Sequence, residues 1–275
     1  MRYQPVPDYH MHTPRCNHAV GSVREYAQKA MERGLQEIGM SDHSPMPHGF
    51  DAAWRMDLSQ LPDYLDEVER VRDALQHDLV VRVGLEADFH PGTEAAVQSM
   101  IDGYAWDYVM GSVHYLGDWG FDNPDEIHRW DRVDVEDAYC DYFELVARSA
   151  ASGMFDVIGH PDLIKKFGHR APVGSVRVDA AESAMLDAVL AAGVALEVSS
   201  AGLRKPVGEI YPHARIVEKA AARGIPFAFG SDAHSPEEVG HGMEACLDLL
   251  CRYGVTEVAS FQQRQRIMQP IRALA

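Results

Sequence analysis

The apolar positions of this chain fall into short runs separated by longer amphipathic stretches. Runs at 6–12 (VPDYHMH), 36–42 (QEIGMSD), 79–89 (LVVRVGLEADF) and 107–115 (DYVMGSVHY) predict strands, as do 155–160 (FDVIGH), 195–201 (ALEVSSA) and 226–234 (PFAFGSDAH). Several are apolar on both faces, the pattern of a sheet covered on both sides. Helical periodicity fills 60–76, 93–102, 134–152, 179–192 and 213–223, with Gly153, Gly193 and Gly224 closing the last three. Two more helices carry start signals. SVRE at 22–25 is a capping box with Gly34 as its stop, and SPEE at 235–238 repeats the box with Pro236 at the first helical position.

Strand and helix thus alternate seven times, which predicts parallel βαβ units and an α/β fold. A closed barrel and an open doubly wound sheet both satisfy that alternation. Polar residues favour the barrel: His10 and His12, Asp42 and His43, Glu86, His114, His160, and Asp232 and His234 all stand at C-terminal ends of predicted strands. In a barrel those ends converge on one face, where barrel enzymes place their chemistry. No linker or fixed repeat divides the chain, so residues 1–275 read as one domain of ordinary barrel length.

Composition narrows the class. With 46% hydrophobic and 24% charged residues the chain reads as a soluble globular protein. Its longest apolar stretches, such as AMLDAVLAAGVALEV, fall short of the ~18 uninterrupted residues of a bilayer span. MRYQPVPDYH has no apolar signal core, so the expectation is a cytoplasmic protein with no membrane partner. Cys16, Cys140, Cys246 and Cys251 form no CxxC pair and read as reduced thiols; Cys16 lies inside the opening motif, where a thiolate would be a metal ligand and a thiol an ordinary buried side chain. Lys and Arg total 25 against 42 Asp and Glu, a net charge of −17 that disfavours nucleic acid as a partner and leaves a small anionic substrate in need of local cations.

Fourteen histidines are the unusual part of the composition. In His10-Met11-His12 both imidazoles share one face, because strand side chains alternate with period two. Gathering so many imidazoles and carboxylates is costly unless cations neutralise and coordinate them. Such donors suit zinc, iron or manganese. Asp42 and Asp162, next in sequence to candidate ligands, either orient imidazoles or cap loops. His48, His77, His90, His128, His169, His213 and His241 lie away from the strand ends and read as solvated or structural, His90 being the nearest to Glu86.

Taken in order, HMH (10–12), His18, SDH (41–43), GLEADF (84–89), GSVH (111–114), GHPD (159–162) and SDAH (231–234) resemble the polymerase and histidinol phosphatase (PHP) family over nearly the whole chain. SSAGLRKP (199–206) and GHPDLIKKFG (159–168) resemble its monofunctional histidinol-phosphatase branch. The resemblance implies a distorted (β/α)7 barrel holding two to three divalent ions. It implies that His10, His12, Glu86 and Asp232 hold the first, that Glu86 bridges to a second held by His114 and His160, and that His18, His43 and His234 hold a third. It further implies hydrolysis of L-histidinol phosphate in histidine biosynthesis.

Two ions bridged by a carboxylate would trap a hydroxide for in-line attack on phosphorus, since such ions draw the pKa of bound water from about 15.7 toward about 7. Arg204, just past the sixth strand, is expected to clamp the phosphoryl oxygens, with Lys165 and Lys166 adding positive charge unless they are simply solvated. Asp232, His234 or an ion-bound water would protonate the leaving group. The long connection 116–132 is expected to set specificity: Trp119, Phe121 and Trp130 would wall a small ring, while Asp118, Asp122 and Asp125 would meet an amine.

Competing functions stay open at this point. A PHP phosphoesterase acting on nucleotides or nucleic-acid 3′ ends shares the motifs, though the acidic charge and the lack of a basic module weigh against it. Amidohydrolases bridge their ions with a modified lysine where this chain offers Glu86, and TatD-type nucleases lack the SDH and closing DxH. A binding or regulatory module that has lost catalysis would ordinarily be missing a ligand position, and none is missing here.

Overall fold

The computed structural model describes residues 2–274, apart from the side chain of His48, which was expected to be solvated or structural and lies outside the described residues. Strands β1 (Glu37–Met40), β2 (Val80–Asp88) and β3 (Tyr108–Ser112) pair in parallel and in order. A small antiparallel pair follows, β4 (Tyr115–Leu116) with β5 (Trp119–Gly120). The chain then rejoins the parallel sheet as β6 (Val157–Ile158), β7 (Ala195–Ser199) and β8 (Phe227–Gly230).

Six helices occupy the crossovers: α1 (Val23–Glu32), α2 (Leu61–Leu75), α3 (Glu94–Asp102), α4 (Val135–Ala151), α5 (Val176–Ala192) and α6 (Ala214–Ala222). A seventh, α7 (Met243–Arg252), follows β8. The capping box at Ser22 and Glu25 forms as read from the sequence. That at Ser235 does not: Pro236–Glu238 make a single 3-10 turn without a side-chain cap, because the Glu238 carboxylate accepts from the His234 amide (2.8 Å) and pairs with Arg204 (3.1 Å).

The expected first strand is a series of bridges rather than a regular strand, yet it closes the barrel. On one side Gly39 and Ser41 amides donate to the Asp8 and Met11 carbonyls at 2.8 and 2.9 Å. On the other, Tyr9 donates to Phe229 (3.1 Å) and His12 to Ala233 (2.9 Å). Six sheet strands and this segment make the seven staves of a distorted (β/α)7 barrel.

A hairpin that the periodicity did not predict, β9 (Glu257–Gln262) with β10 (Gln265–Pro270), plugs one end of the barrel. Phe261 packs against Tyr9 and Tyr108 at ring-centroid distances of 5.6 and 5.9 Å, in a cluster with Val157, Ala195 and Ala228. Tyr108, Val157 and Ala195 begin their strands, so apolar packing fills the N-terminal end and the opposite end is left to polar groups. Among the described residues no helix is long and apolar enough to cross a membrane, and Cys16, Cys140, Cys246 and Cys251 are free.

Candidate active site

All nine residues expected to hold ions meet at the C-terminal end of the barrel. Glu86 is their centre. Its Oε1 lies 3.0 Å from His160 Nε2, 3.3 Å from His10 Nε2 and 3.7 Å from His114 Nε2, while Oε2 lies 2.8 Å from His43 Nδ1 and 3.7 Å from His12 Nε2. The Ser112 hydroxyl donates to the same carboxylate at 2.6 Å. Asp232 Oδ1 stands 3.1 Å from His12 Nε2 and 3.6 Å from His10 Nε2. His18, on the loop after the 3-10 turn Pro14–Cys16, faces His234 with their Nε2 atoms 2.9 Å apart. His43 touches both groups, packing 5.3 Å from the His18 ring while its Nδ1 reaches Glu86.

This convergence is held at a cost. His160 and Asp232 adopt φ of 23° and 51°, left-handed conformations that ordinary side chains avoid and that persist where surrounding structure enforces them. His10 Nε2, His12 Nδ1 and His160 Nδ1 are buried without a hydrogen-bond partner among the described residues. Ligand atoms of His10, His12 and Glu86 lie within 4.8 Å of one another, as do those of His43, Glu86 and His114, and those of His12, His43 and His234. A donor set of imidazole and carboxylate with unsatisfied lone pairs fits divalent transition metals.

Charges at the site are strongly coupled. Burial by itself would raise the Glu86 carboxyl, but the imidazoles of His43 and His10 hold it well below the usual range. Asp232 is depressed against burial in the same way, by His10 and His12. Burial pushes His43 down to about 3 and His234 well below its ordinary value. His114 goes the other way, because Asp88 outweighs burial and lifts it to about 9.

Three supporting residues are not among those expected at the site, though Asp88 lies inside GLEADF. Asp88 Oδ1 sits 2.7 Å from His114 Nδ1, and its Oδ2 accepts from the buried Arg55 guanidinium at 2.6 Å. Glu197 Oε1 sits 2.7 Å from His10 Nδ1. Two signals in the sequence could have found them: Asp88 follows Glu86 by two residues and so shares its strand face, and Glu197 is the one charge in ALEVSSA. Arg55 carries none, since it arrives from a loop. Of the two aspartates read as orienting or capping, Asp42 accepts from the His43 amide at 2.9 Å and so caps the loop, while its carboxylate lies 3.5 Å from His12 Nδ1 without a hydrogen bond to it. Asp162 does not face His160; it accepts from the His213 amide (2.7 Å) and pairs with Lys165 (2.8 Å).

A cleft of about 450 Å³ opens over the histidines, within the usual size of a small-molecule site. Its walls include Asp51, Arg55, Tyr115, Asp122, Glu126, Lys166, Lys205 and Tyr211. Here the expected substrate contacts need correction. Asp122 lines the cleft, but Trp119 and Phe121 do not: both are buried, Trp119 on Trp130 of the same loop at 4.9 Å and Phe121 on Tyr142 of α4 at 5.3 Å. Trp130 in turn stacks on His169 at 4.3 Å. Asp118 pairs with Arg129 outside the cleft (2.8 Å), and Asp125 too lies away from it.

Lys165 is buried against Asp162, the Ile210 carbonyl (2.8 Å) and the Tyr211 ring, so Lys166 is the lysine of that pair that faces the cleft. Arg204 lies behind the cleft wall, its Nη2 donating to the Ser231 and Asp232 carbonyls at 2.8 and 3.0 Å, while Nη1 has no hydrogen-bond partner among the described residues. Burial raises the pKa of Cys16, its Sγ donates to the Thr13 carbonyl at 3.1 Å, and that sulfur lies within 4.8 Å of ligand atoms of His18 and His234. His90 bonds the Gly117 carbonyl (2.9 Å), and His213 caps α6.

Residues 8–201 match the PHP domain, a span that holds seven of the nine clustered residues, and residues 211–244, which hold Asp232 and His234, match the PHP-associated region. The chain belongs to the PHP family. Among its PHP relatives, a Deinococcus radiodurans protein named probable histidinol-phosphatase is 52% identical over 85% of this chain and 88% of its own. The Bacillus subtilis histidinol-phosphatase is 30% identical over 88% of this chain and 98% of its own. A Lactococcus lactis histidinol phosphate phosphatase, solved with zinc, L-histidinol and phosphate, has the same fold at 20% identity, with a TM-score of 0.81 over 95% of this chain and 98% of that one.

Proposed function

We propose that this chain is a metal-dependent phosphomonoesterase that hydrolyses L-histidinol phosphate to L-histidinol and phosphate, a step of histidine biosynthesis. The observation that carries the reading is the 52% identity to a protein named probable histidinol-phosphatase. In this reading His10, His12, Glu86 and Asp232 hold one divalent ion, Glu86, His114 and His160 a second, and His18, His43 and His234 a third. Two to three ions of zinc, iron or manganese suit these donors. When bound, they supply Lewis-acid charge to phosphoryl oxygens and make coordinated water acidic enough to act as a nucleophile near neutral pH.

The chain's own residues bind and orient. Lys205 brings positive charge to the cleft of a molecule whose net charge is −17, which an anionic phosphate requires, while Lys166 is paired there with Asp122 at 2.9 Å. Arg204, behind the cleft wall, steadies the turn carrying Asp232 through its Nη2. Asp51, Asp122 and Glu126 offer carboxylates to the ammonium and imidazole of the substrate. The buried floor keeps bulk water from the reacting groups. Residues 1–275 act as one catalytic unit, because the site draws on positions from His10 to His234. Four free cysteines suit the reducing cytoplasm.

A panel of phosphomonoesters tests the reading. Histidinol phosphate is expected to be turned over with the highest kcat/KM, and chelation is expected to abolish turnover until a divalent ion is restored. Preference for nucleotides or nucleic-acid 3′ ends would overturn the substrate assignment. Absence of turnover on any phosphoester with ions restored would make the chain a binding module.

A further inference from the structure

Glu197 is a fully buried carboxylate inside the barrel, on a strand whose other residues are apolar or small. A buried charge is destabilising unless it is fully partnered. Both its oxygens are committed. Oε1 lies 2.7 Å from His10 Nδ1, and Oε2 accepts from the His160 backbone amide at 2.5 Å.

Each contact constrains a different part of the site. With Nδ1 of His10 directed at a carboxylate, the ring proton belongs on Nδ1 and the lone pair on Nε2, the atom that faces Glu86 at 3.3 Å and Asp232 at 3.6 Å. His160 holds φ of 23°, and the amide bond to Glu197 anchors that left-handed residue from one side while Tyr142 donates to its carbonyl (3.0 Å) from the other. The His160 ring is thereby set with Nε2 3.0 Å from Glu86.

A neighbouring glycine makes room for this arrangement. A Cβ on Gly230 of β8 would lie 1.9 Å from Glu197 Oε1 and 2.7 Å from the His10 Cβ. Any larger residue at 230 would therefore push the carboxylate off its partners.

We propose that Glu197, in the space left by Gly230, is a positioning residue that sets the His10 ring and the His160 backbone together. Single support of one ligand is the role of Asp88, which touches only the ring of His114 among the site histidines. Glu197 couples two ligands assigned to different ions. This inference rests on the metal-centre reading above.

The experiment uses full-length protein carrying Glu197→Gln, compared with wild type by chelator competition and by 15N NMR of the histidine rings after metal removal, at a pH alkaline enough to leave His10 neutral, since, against burial, its carboxylate neighbours raise its pKa. A glutamine amide presents a donor to His10 Nδ1 and would favour the other tautomer. Expected results are the Nδ1–H tautomer for His10 in wild type, its loss in the variant, and ion affinity weakened by roughly 10–100-fold. Gly230→Ala is expected to reproduce the affinity loss with Glu197 intact.

Unchanged affinity in a folded Glu197→Gln protein would overturn the inference while leaving the metal centre standing. A wild-type protein that retains no ion would sink both. Should Glu197→Gln fail to fold, the wild-type spectrum decides: an Nε2–H tautomer for His10 excludes the proposed role.

Discussion

Five histidine rings place a nitrogen within 3.7 Å of the Glu86 carboxylate, so no other side chain holds as much of the site together. Glu86→Ala is expected to bring phosphatase activity to background and to lower bound metal per chain, both measurable on the same preparation by turnover and elemental analysis. Retained metal in that variant would remove Glu86 from its bridging role. Arg204→Ala is expected to lower bound metal by loosening the turn carrying Asp232, read by elemental analysis of the folded variant. Intact metal with a raised KM for the phosphorylated substrate would instead make Arg204 a phosphate clamp. At this scale the ligand-type residues were legible, because imidazoles repeated at successive strand ends would be too costly to bury together without ions to bind. The aromatics of 116–132 misled, since Trp119 gains more by burial on Trp130 and Phe121 by burial on Tyr142 of α4 than either would by lining a wet cleft.

Among the elements, most helices were readable because caps and glycine stops are local chemistry. The C-terminal hairpin was not. Its turn residues Gln263 and Arg264 take φ of 50° and 64° without the asparagine or glycine that usually announces such a turn. Its value to the barrel is nevertheless large. Phe261→Ala is expected to cost about 3–5 kcal/mol of unfolding free energy, read from denaturant midpoints, while kcat of the folded fraction stays near wild type. That separation follows from position: Phe261 packs on residues that begin strands, and the catalytic groups follow their ends. A matching fall in kcat would show that the plug reaches the site. The N-terminal segment 8–12 illustrates the opposite case, in which the alternating pattern was readable but the local hydrogen bonding is too irregular for a regular strand.

For the molecule as a whole, the sequence by itself determined the alternation of strands and helices, the acidic balance and the identity of the clustered imidazoles and carboxylates. These properties depend on local periodicity and on composition, which need no knowledge of distant neighbours. Tertiary structure decided the rest. Closure of the barrel brings residue 12 against residue 233, and only that contact puts His12 3.1 Å from Asp232. Closure also sorts apparent equals, turning Lys165 into a buried partner of Asp162 while Lys166 faces the cleft. Support from Asp88, Arg55 and Glu197 arises in the same way, because orienting a ring takes a carboxylate at hydrogen-bonding distance, and distance between segments far apart in the chain exists only once the barrel has closed.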